Sequence, residues 1–196
     1  MPKKNEIRLR VGVLGAGEIA QAAHFESCTK AVNADLYAIC EVADDLRERM
    51  VITHAAQRSY NDYDKMLADR DVDAVIIATA DAFHVPATLR ALAAGKHVLC
   101  EKPVGLTVEK SLELKAAVEK SGKVFQVGHI KRFDAGLQAA KKFIDSEMGH
   151  VVALKAWYCD STHHYPMTNA VQPLIVTSAN ARKPSNNPKA DVSGGV

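Results

Sequence analysis

The stretch Val11–Ala20, V-G-V-L-G-A-G-E-I-A, is the part of the sequence from which the fold can be inferred. A short apolar run over Val11–Leu14 ends on two glycines that flank one alanine, and a helical pattern follows at once. These residues form the strand–turn–helix version of a dinucleotide-binding fingerprint, G-x-G-x-x-A, with Ala20 in the last small position. The stretch therefore predicts that a nucleotide diphosphate binds where the first strand meets the first helix.

Each small residue of the fingerprint has its own physical role. Gly15 lets the chain turn tightly, Gly17 lets a pyrophosphate approach the backbone, and Ala20 lets the helix pack close to the sheet. The first amides of the helix have no intrahelical partner and can donate to the phosphates. A glycine turn alone also occurs in loops that bind nothing, but the flanking strand and helix favour nucleotide binding. The predicted cofactor-binding residues of this turn are Gly15, Ala16, Gly17, Glu18 and Ile19.

The composition is that of a globular chain with one domain, or one domain and part of another. Its 196 residues carry a formal net charge of +2, and the basic residues form no stripe, which argues against a nucleic-acid partner. No apolar run approaches the roughly 18 residues of a membrane span, and no signal-peptide segment is visible. The four cysteines lie far apart without a C-x-x-C pair. We therefore expect reduced thiols and a cytoplasmic location.

Strands alternate with helices along the first 128 residues. This alternation predicts an α/β fold, a Rossmann-type doubly wound parallel sheet joined by right-handed crossovers. Tyr60–Tyr63 is interpreted as a turn. The predicted strands are Ile7–Leu14, Asp35–Cys40, Asp73–Ala78, His97–Cys100 and Val124–Val127, and the predicted helices are Glu18–Lys30, Asp44–His54, Asp64–Asp69, Val85–Ala94 and Val108–Lys120.

The character of the sequence changes near His129. Ala135–Ser146 is predicted to be an amphipathic helix, and His150–Tyr158 alternates like a longer strand of a different sheet. From Asp160 the pattern fades, and a tail of this size cannot form a core of its own. We therefore divide the chain into a nucleotide-binding domain, residues 1–128, and the start of a second domain, residues 129–196.

Glu41 follows the second predicted strand and lies 24 positions after Gly17 (41 − 17 = 24). This spacing is close to that of the carboxylate that binds the adenosine ribose in dinucleotide sites. A carboxylate there would repel the 2′-phosphate of NADP, so NAD is favoured as the cofactor. Arg47 and Arg49 are close enough in sequence to moderate the repulsion, which leaves NADP as an alternative.

Glu101-Lys102-Pro103 follows the fourth predicted strand directly. Ligands of open α/β sheets bind at the carboxyl ends of the strands. A lysine there could donate to a substrate hydroxyl, or to the oxygen that gains negative charge during hydride transfer. Without its context, the tripeptide is equally consistent with an exposed Lys-Pro turn.

Three stretches resemble the glucose–fructose oxidoreductase / inositol dehydrogenase / MocA family. They are G-K-H-V-L-C-E-K-P-V-G-L-T over Gly95–Thr107, the segment Tyr60–Thr79, and V-F-Q-V-G-H-I-K-R-F over Val124–Phe133. The resemblance implies a Rossmann NAD(P) domain followed by an α+β domain with an open-faced sheet, here incomplete. Members mostly oxidise or reduce a carbinol carbon of a sugar, cyclitol or related polyol. The lysine of E-K-P, Lys102 here, contacts substrate and cofactor in them and is the predicted catalytic residue.

Further roles follow from the same resemblance. Thr79 stands where the family has Thr-Pro, although Ala80 replaces the proline, and His84 matches a histidine beside the nicotinamide. His129 and Arg132 are candidates for substrate contact along with Lys102, although Arg132 is equally consistent with an ordinary surface arginine. Beyond the glycine turn, the predicted cofactor-binding residues are Glu41, Thr79, His84, Glu101, Lys102, Pro103 and Gln126.

The sequence departs from the family at its end. Family members carry a D-x-x-x-H segment, whose histidine is the usual acid–base group, and Val196 precedes any such segment here. We therefore expect a truncated form that is impaired or inactive, with a homo-oligomer formed only by a full-length form. The alternative is a non-catalytic nucleotide-binding or regulatory protein of the same fold. No metal site is predicted, because the adjacent His163 and His164 lack a further ligand at a suitable spacing.

Overall fold

The computed structural model describes residues 8–157 and 177–178. These residues form two compact units, one comprising 8–128 with 177–178 and the other 129–157. The predicted residues His163 and His164 lie outside the described residues, as do Ile7 and the end of the chain. The assignment of residues 129–196 to a substrate and oligomerisation domain stays a prediction.

A six-stranded parallel sheet forms the centre of the first unit. Its strand order is β3-β2-β1-β4-β5-β6, so the chain leaves β1 for one side of the sheet and later returns to the other. This is the doubly wound order expected of a dinucleotide-binding fold, which confirms the predicted fold class. The strands are β1 (Leu9–Leu14), β2 (Ala34–Cys40), β3 (Arg58–Tyr60), β4 (Ala74–Ile77), β5 (His97–Cys100) and β6 (Phe125–Val127).

Helices cover both faces of the sheet. A π-helical stretch, Ala20–His24, precedes α1 (Phe25–Lys30), and residues 18 and 19 are also helical, as the sequence predicts. Two buried clusters result, because alternate residues of each strand point to opposite faces. The remaining helices are α2 (Asp44–His54), α3 (Tyr63–Ala68), α4 (His84–Ala93), α5 (Val108–Ser121) and, in the second unit, α6 (Ala135–Ser146).

One strand is present where the sequence suggested only a turn. β3 (Arg58–Tyr60) pairs with β2 at the edge of the sheet, through Ala38 with Arg58 and Cys40 with Tyr60. Its residues are polar and mostly exposed, so they carry none of the apolar alternation from which strands are recognised. The interpretation of Tyr60 as the start of a turn was therefore wrong, and the strand exists because β2 offers it a hydrogen-bonding edge.

The predicted strand at His150–Tyr158 is also corrected. Residues 150–157 adopt no strand, and the hydrophobic side chains of Val152, Leu154 and Trp157 are exposed. A β-strand needs a neighbour for its backbone hydrogen bonds, and no described residue pairs with this segment. Its alternating pattern is therefore not sufficient to form a strand here.

Candidate functional site

The glycine turn lies at the carboxyl end of β1. Gly15 has φ +92°, and a Cβ at this position would lie 2.7 Å from the carbonyl oxygen of Ala78, just after β4. Only glycine fits this conformation and this close approach. β1 and β4 are the adjacent strands at which the order of the sheet reverses. The turn therefore lies where open α/β sheets bind ligands.

The second glycine of the turn faces open space. A Cβ at Gly17 would have no atom within 4 Å, whereas the neighbouring Ala16 is buried. Gln21 Nε2 donates to the carbonyl oxygen of Ala16 at 2.7 Å and so holds the turn from the helix side. Glu18 and Ile19 are exposed in the first turn of the helix. The backbone here is both rigidly held and open enough for a diphosphate to approach.

Glu41 closes over the same turn from the end of β2. Its Oε2 accepts a hydrogen bond from the Ala16 amide at 2.9 Å, and its Oε1 accepts one from the Ala43 amide at 3.0 Å. A carboxylate has about four lone-pair sites, so these two bonds leave capacity for ribose hydroxyls. The carboxylate is thus fixed next to the glycine turn, as the sequence spacing suggested.

Arg47 is engaged with the protein around Glu41. Its Nη1 donates to the Glu41 carbonyl oxygen at 2.7 Å, its Nε donates to Ser59 Oγ at 3.1 Å, and its Nη2 pairs with Asp44. The side chain is only 11% exposed. The guanidinium therefore supports the backbone beneath the carboxylate rather than projecting into open space.

The tripeptide after β5 alternates in burial. Glu101 is buried, whereas Lys102 and Pro103 are exposed, and the Lys102–Pro103 peptide bond is cis. Glu101 Oε2 accepts a hydrogen bond from the Lys102 amide at 3.2 Å. Lys102 Nζ makes no hydrogen bond or ion pair within the part of the chain that the structure describes. Its amine is therefore left available for a ligand.

His24 is a residue that the sequence analysis did not single out. Its Nε2 lies 3.0 Å from Glu101 Oε1, and both side chains are buried. Burial lowers the pKa of the His24 ring, although the nearby Glu101 carboxylate acts in the opposite direction. The neutral ring then donates its single N–H to the carboxylate. A signal was available, because His24 follows Ala20 by four positions and so lies on the buried face of the helix.

His84 is buried at the start of α4. Its Nδ1 lies 2.6 Å from the carbonyl oxygen of Pro103, and its Nε2 lies 3.1 Å from that of Thr79. Both ring nitrogens therefore face backbone oxygens, one in the loop after β5 and one in the loop after β4. His84 joins these two loops, and its predicted contact with the cofactor stays a prediction.

The other predicted residues occupy different positions. Thr79 follows β4, and its hydroxyl donates to the Ala80 carbonyl oxygen at 3.4 Å. Gln126 is exposed in the edge strand β6, opposite Leu99 of β5. His129 and Arg132 are exposed in the second unit, where the Arg132 amide donates to the His129 carbonyl oxygen at 3.0 Å. Their predicted binding roles are not tested by these positions.

The cysteines of the described residues do not provide a nucleophile. Burial raises the pKa of the thiols of Cys28 and Cys100 to about 11 and that of Cys40 to about 12. A thiol with such a pKa is protonated at neutral pH and reacts slowly. Across residues 8–157 and 177–178, no group of three or more His, Cys, Asp or Glu side chains could hold a metal ion, and no helix is long and apolar enough to cross a membrane.

The strand order, the glycine turn and the carboxylate of Glu41 together define a dinucleotide-binding domain. Residues 9–129 match the model of the glucose–fructose oxidoreductase / inositol dehydrogenase / MocA family, described as an oxidoreductase family with an NAD-binding Rossmann fold. The chain belongs to this family, and its first unit is the NAD-binding domain.

Two relatives illustrate the relationship. An inositol 2-dehydrogenase/D-chiro-inositol 3-dehydrogenase from Shouchella clausii is 36% identical over 142 residues, which is 71% of this chain and 41% of the relative. A scyllo-inositol dehydrogenase from Lactobacillus casei, solved with bound NAD(H) and scyllo-inositol, superposes with a TM-score of 0.67 at 30% identity and covers 70% of this chain and 41% of that one.

A third neighbour carries the other cofactor. A 3-ketoreductase from Actinomadura kijaniata, solved with TDP-benzene and NADP, has a TM-score of 0.66 at 25% identity, covering 70% of this chain and 43% of its own. The chain spans about two fifths of the length of the curated relatives that it matches.

Proposed function

We propose that the chain serves an NAD-dependent oxidoreductase that transfers hydride between the nicotinamide and a carbinol or keto carbon of a sugar, cyclitol or related polyol. The observation that carries this proposal is the position of Lys102. It follows β5 at the same edge of the sheet as the glycine turn, and its amine has no partner among the described residues. The inositol dehydrogenases among the relatives support a polyol as the substrate class.

The residues present fit NAD, because the space beside Gly17 is open and Glu41 stands next to it. The amides of the first helical turn would hold the pyrophosphate, and the Glu41 carboxylate would accept hydrogen bonds from the ribose hydroxyls. NAD, when bound, supplies the acceptor or donor of hydride. Lys102 would donate a hydrogen bond to the substrate oxygen, whose negative charge grows as the carbon–hydrogen bond is broken or formed.

NAD is favoured over NADP by the same residues. A 2′-phosphate on the ribose would lie against the Glu41 carboxylate, and like charges at contact distance repel strongly in a partly desolvated pocket. Arg47 is already bonded to Asp44, Ser59 and the Glu41 carbonyl. It would have to give up these contacts before it could neutralise the phosphate.

A non-catalytic nucleotide-binding or regulatory role is the alternative. It is favoured by the acid–base segment D-x-x-x-H, which the sequence does not contain. Turnover separates the two proposals. Reduction of NAD⁺ in the presence of myo-inositol or scyllo-inositol supports the dehydrogenase, whereas NADH binding without turnover on any polyol supports the alternative.

Substitution of Gly17 by valine tests whether the turn binds the cofactor. The branched side chain would occupy the space where the pyrophosphate approaches, so we expect the affinity for NADH, measured by fluorescence titration, to fall at least about tenfold. No atom lies within 4 Å of the added Cβ, so the melting temperature should be retained. Unchanged NADH affinity in a folded Gly17→Val variant would show that the turn is not the binding site.

A further inference from the structure

The residue next to Lys102 is held from the far side of the glycine turn. Glu101 Oε1 is 3.0 Å from Nε2 of His24, and Glu101 Oε2 is 3.2 Å from the Lys102 amide. One carboxylate therefore connects a buried ring on the first helix to the backbone of the proposed catalytic lysine. The connection is direct, because no third side chain stands between these groups.

The carboxylate has little freedom to move away from this position. Both partners of the His24–Glu101 contact are about nine-tenths buried, with side-chain exposures of 11% and 10%. On its other side the carboxylate packs on Gly128, where an added Cβ would come within 3.0 Å of Oε1 and 3.3 Å of Oε2. A buried carboxylate that lost its donor would be costly, which keeps the pair together.

The first helix places His24 in this position through its irregular turn. Ala20–His24 is π-helical, and the amide of Phe25 bonds to the carbonyl oxygen of Ala20. A π-turn contains one more residue than an α-turn, so it changes the face on which the following side chains lie. This helix is the one that begins at Gly17, so the element that supports the diphosphate also carries His24.

We propose that His24 is a positioning residue for Lys102: its ring N–H holds the Glu101 carboxylate, which in turn holds the Lys102 backbone beside the cofactor site. His84 holds the other side of the same segment through the Pro103 carbonyl. Lys102 is thus the exposed residue between two anchored neighbours. The functional meaning of this arrangement rests on the proposed role of Lys102.

Hydrogen–deuterium exchange at the Lys102 amide, followed by NMR, tests the proposal. Methionine and glutamine are similar in length, but only glutamine carries an N–H that can replace Nε2. We expect exchange at Lys102 to be roughly tenfold faster in His24→Met, the scale of one hydrogen bond to a charged acceptor, and within about twofold of wild type in His24→Gln.

Two amides and one other histidine serve as controls. The Glu101 amide bonds to the Ile77 carbonyl and the Ala78 amide to that of Leu14, so both should exchange at the wild-type rate in every variant. His54 packs its ring on Phe25 of the same helix, with the ring centroids 4.8 Å apart. His54→Met should therefore leave the Lys102 amide unchanged.

Three results would overturn the proposal: unchanged Lys102 exchange in His24→Met, an equal acceleration of the control amides, or no rescue by His24→Gln. If His24→Met does not fold, Gly128→Ala displaces the same carboxylate from the opposite side and should accelerate Lys102 exchange several-fold. An unchanged rate there would also refute the proposal. NADH titration of the wild-type chain is a separate readout, so a failure of the proposed function is distinguished from a failure of this inference.

Discussion

At the scale of single residues, the consecutive side chains of Glu101 and Lys102 do opposite things. Glu101 is buried and hydrogen-bonded, whereas Lys102 is exposed and has an amine without a partner in the described part of the chain. A buried anion beside an exposed cation gives a fixed negative charge at the edge of the site and a mobile positive group in front of it. This arrangement suits a lysine that approaches a substrate oxygen.

Removal of the Lys102 amine should affect catalysis without affecting cofactor binding. With NAD⁺ and a polyol that is turned over, Lys102→Ala is expected to lower kcat by about a hundredfold, the usual scale for a positioned acid–base or hydrogen-bonding group. NADH affinity should remain within about threefold, because the diphosphate is held elsewhere. The exposed Lys120, at the end of α5, provides the matched control Lys120→Ala. Turnover that is equal in both variants would exclude Lys102 from the reaction.

The buried ring of His24 should also make stability depend on pH. Burial lowers its pKa in the folded state, so below about pH 6.5 the unfolded chain binds a proton at this ring more readily than the folded chain. Acidification through the window below pH 6.5 therefore reduces the free energy of unfolding, and a rise in pH restores it.

We expect His24→Gln to reduce this dependence. Urea denaturation between about pH 5 and pH 8 should show a smaller fall in the free energy of unfolding for the variant than for wild type on the acidic side. Between about pH 7.5 and pH 8 the difference between the two proteins should be constant, because the ring is neutral in both states. Parallel curves across the whole range would contradict the assignment of a neutral, buried His24.

At the scale of elements, the ends of the helices are set by local side chains. The hydroxyl of Thr107 accepts a hydrogen bond from the Lys110 amide at the start of α5, and Asp62 does the same for the Lys65 amide at the start of α3. α5 ends at Gly122, which adopts φ +64°. Such caps satisfy amides and carbonyls that the helix itself leaves unpaired.

Loss of the cap at Thr107 should destabilise the domain measurably. Thr107→Ala is expected to lower the free energy of unfolding by about 1 kcal/mol, because the Lys110 amide loses its side-chain acceptor. Thr107→Ser retains the hydroxyl and should stay close to wild type. Urea unfolding of the three proteins provides the measurement, and equal stability of the alanine and serine variants would mean that the cap contributes nothing.

A buried lysine connects two elements elsewhere in the sheet. Lys96 precedes β5, and its Nζ donates to the carbonyl oxygens of Asp69 at 2.7 Å and Val72 at 2.8 Å. Burial lowers the pKa of this amine. Its hydrogen bonds satisfy carbonyls in the connection between α3 and β4, so Lys96 is a structural residue, in contrast to Lys102 six positions later.

At the scale of the whole molecule, the strand order determines which loops come together. β1, β4 and β5 are neighbours, so the glycine turn, the Thr79 loop and the Lys102 loop all lie at the carboxyl edge of adjacent strands. Their sequence positions differ by more than 80 residues. Parallel pairing with right-handed crossovers is what places them side by side.

Cofactor binding should therefore stabilise the folded molecule as a unit. A ligand that binds only the folded state adds about 2.7 kcal/mol at a concentration a hundredfold above its Kd. We expect NADH to raise the melting temperature of the wild-type chain by several degrees, measured by differential scanning fluorimetry. Gly17→Val should show no such rise, and an equal rise in both proteins would place NADH somewhere other than the turn.

The sequence by itself determined the elements that have a local signal. The glycine fingerprint, the apolar strands and the caps at Thr107 and Gly122 depend on residues within a few positions of one another, and all of them are present. The Glu41 carboxylate was also placed correctly beside the turn, because its spacing from Gly17 follows from the length of one strand–helix–strand unit.

Only the tertiary structure decided the features that depend on distant partners. β3 exists because β2 offers it an edge, and the alternating residues at 150–157 form no strand without such a neighbour. The contact between His24 and Glu101 joins residues 77 positions apart, so no local pattern could reveal it. Hydrogen bonds and burial are satisfied in space rather than along the chain, and the sequence shows a partner only when that partner is near.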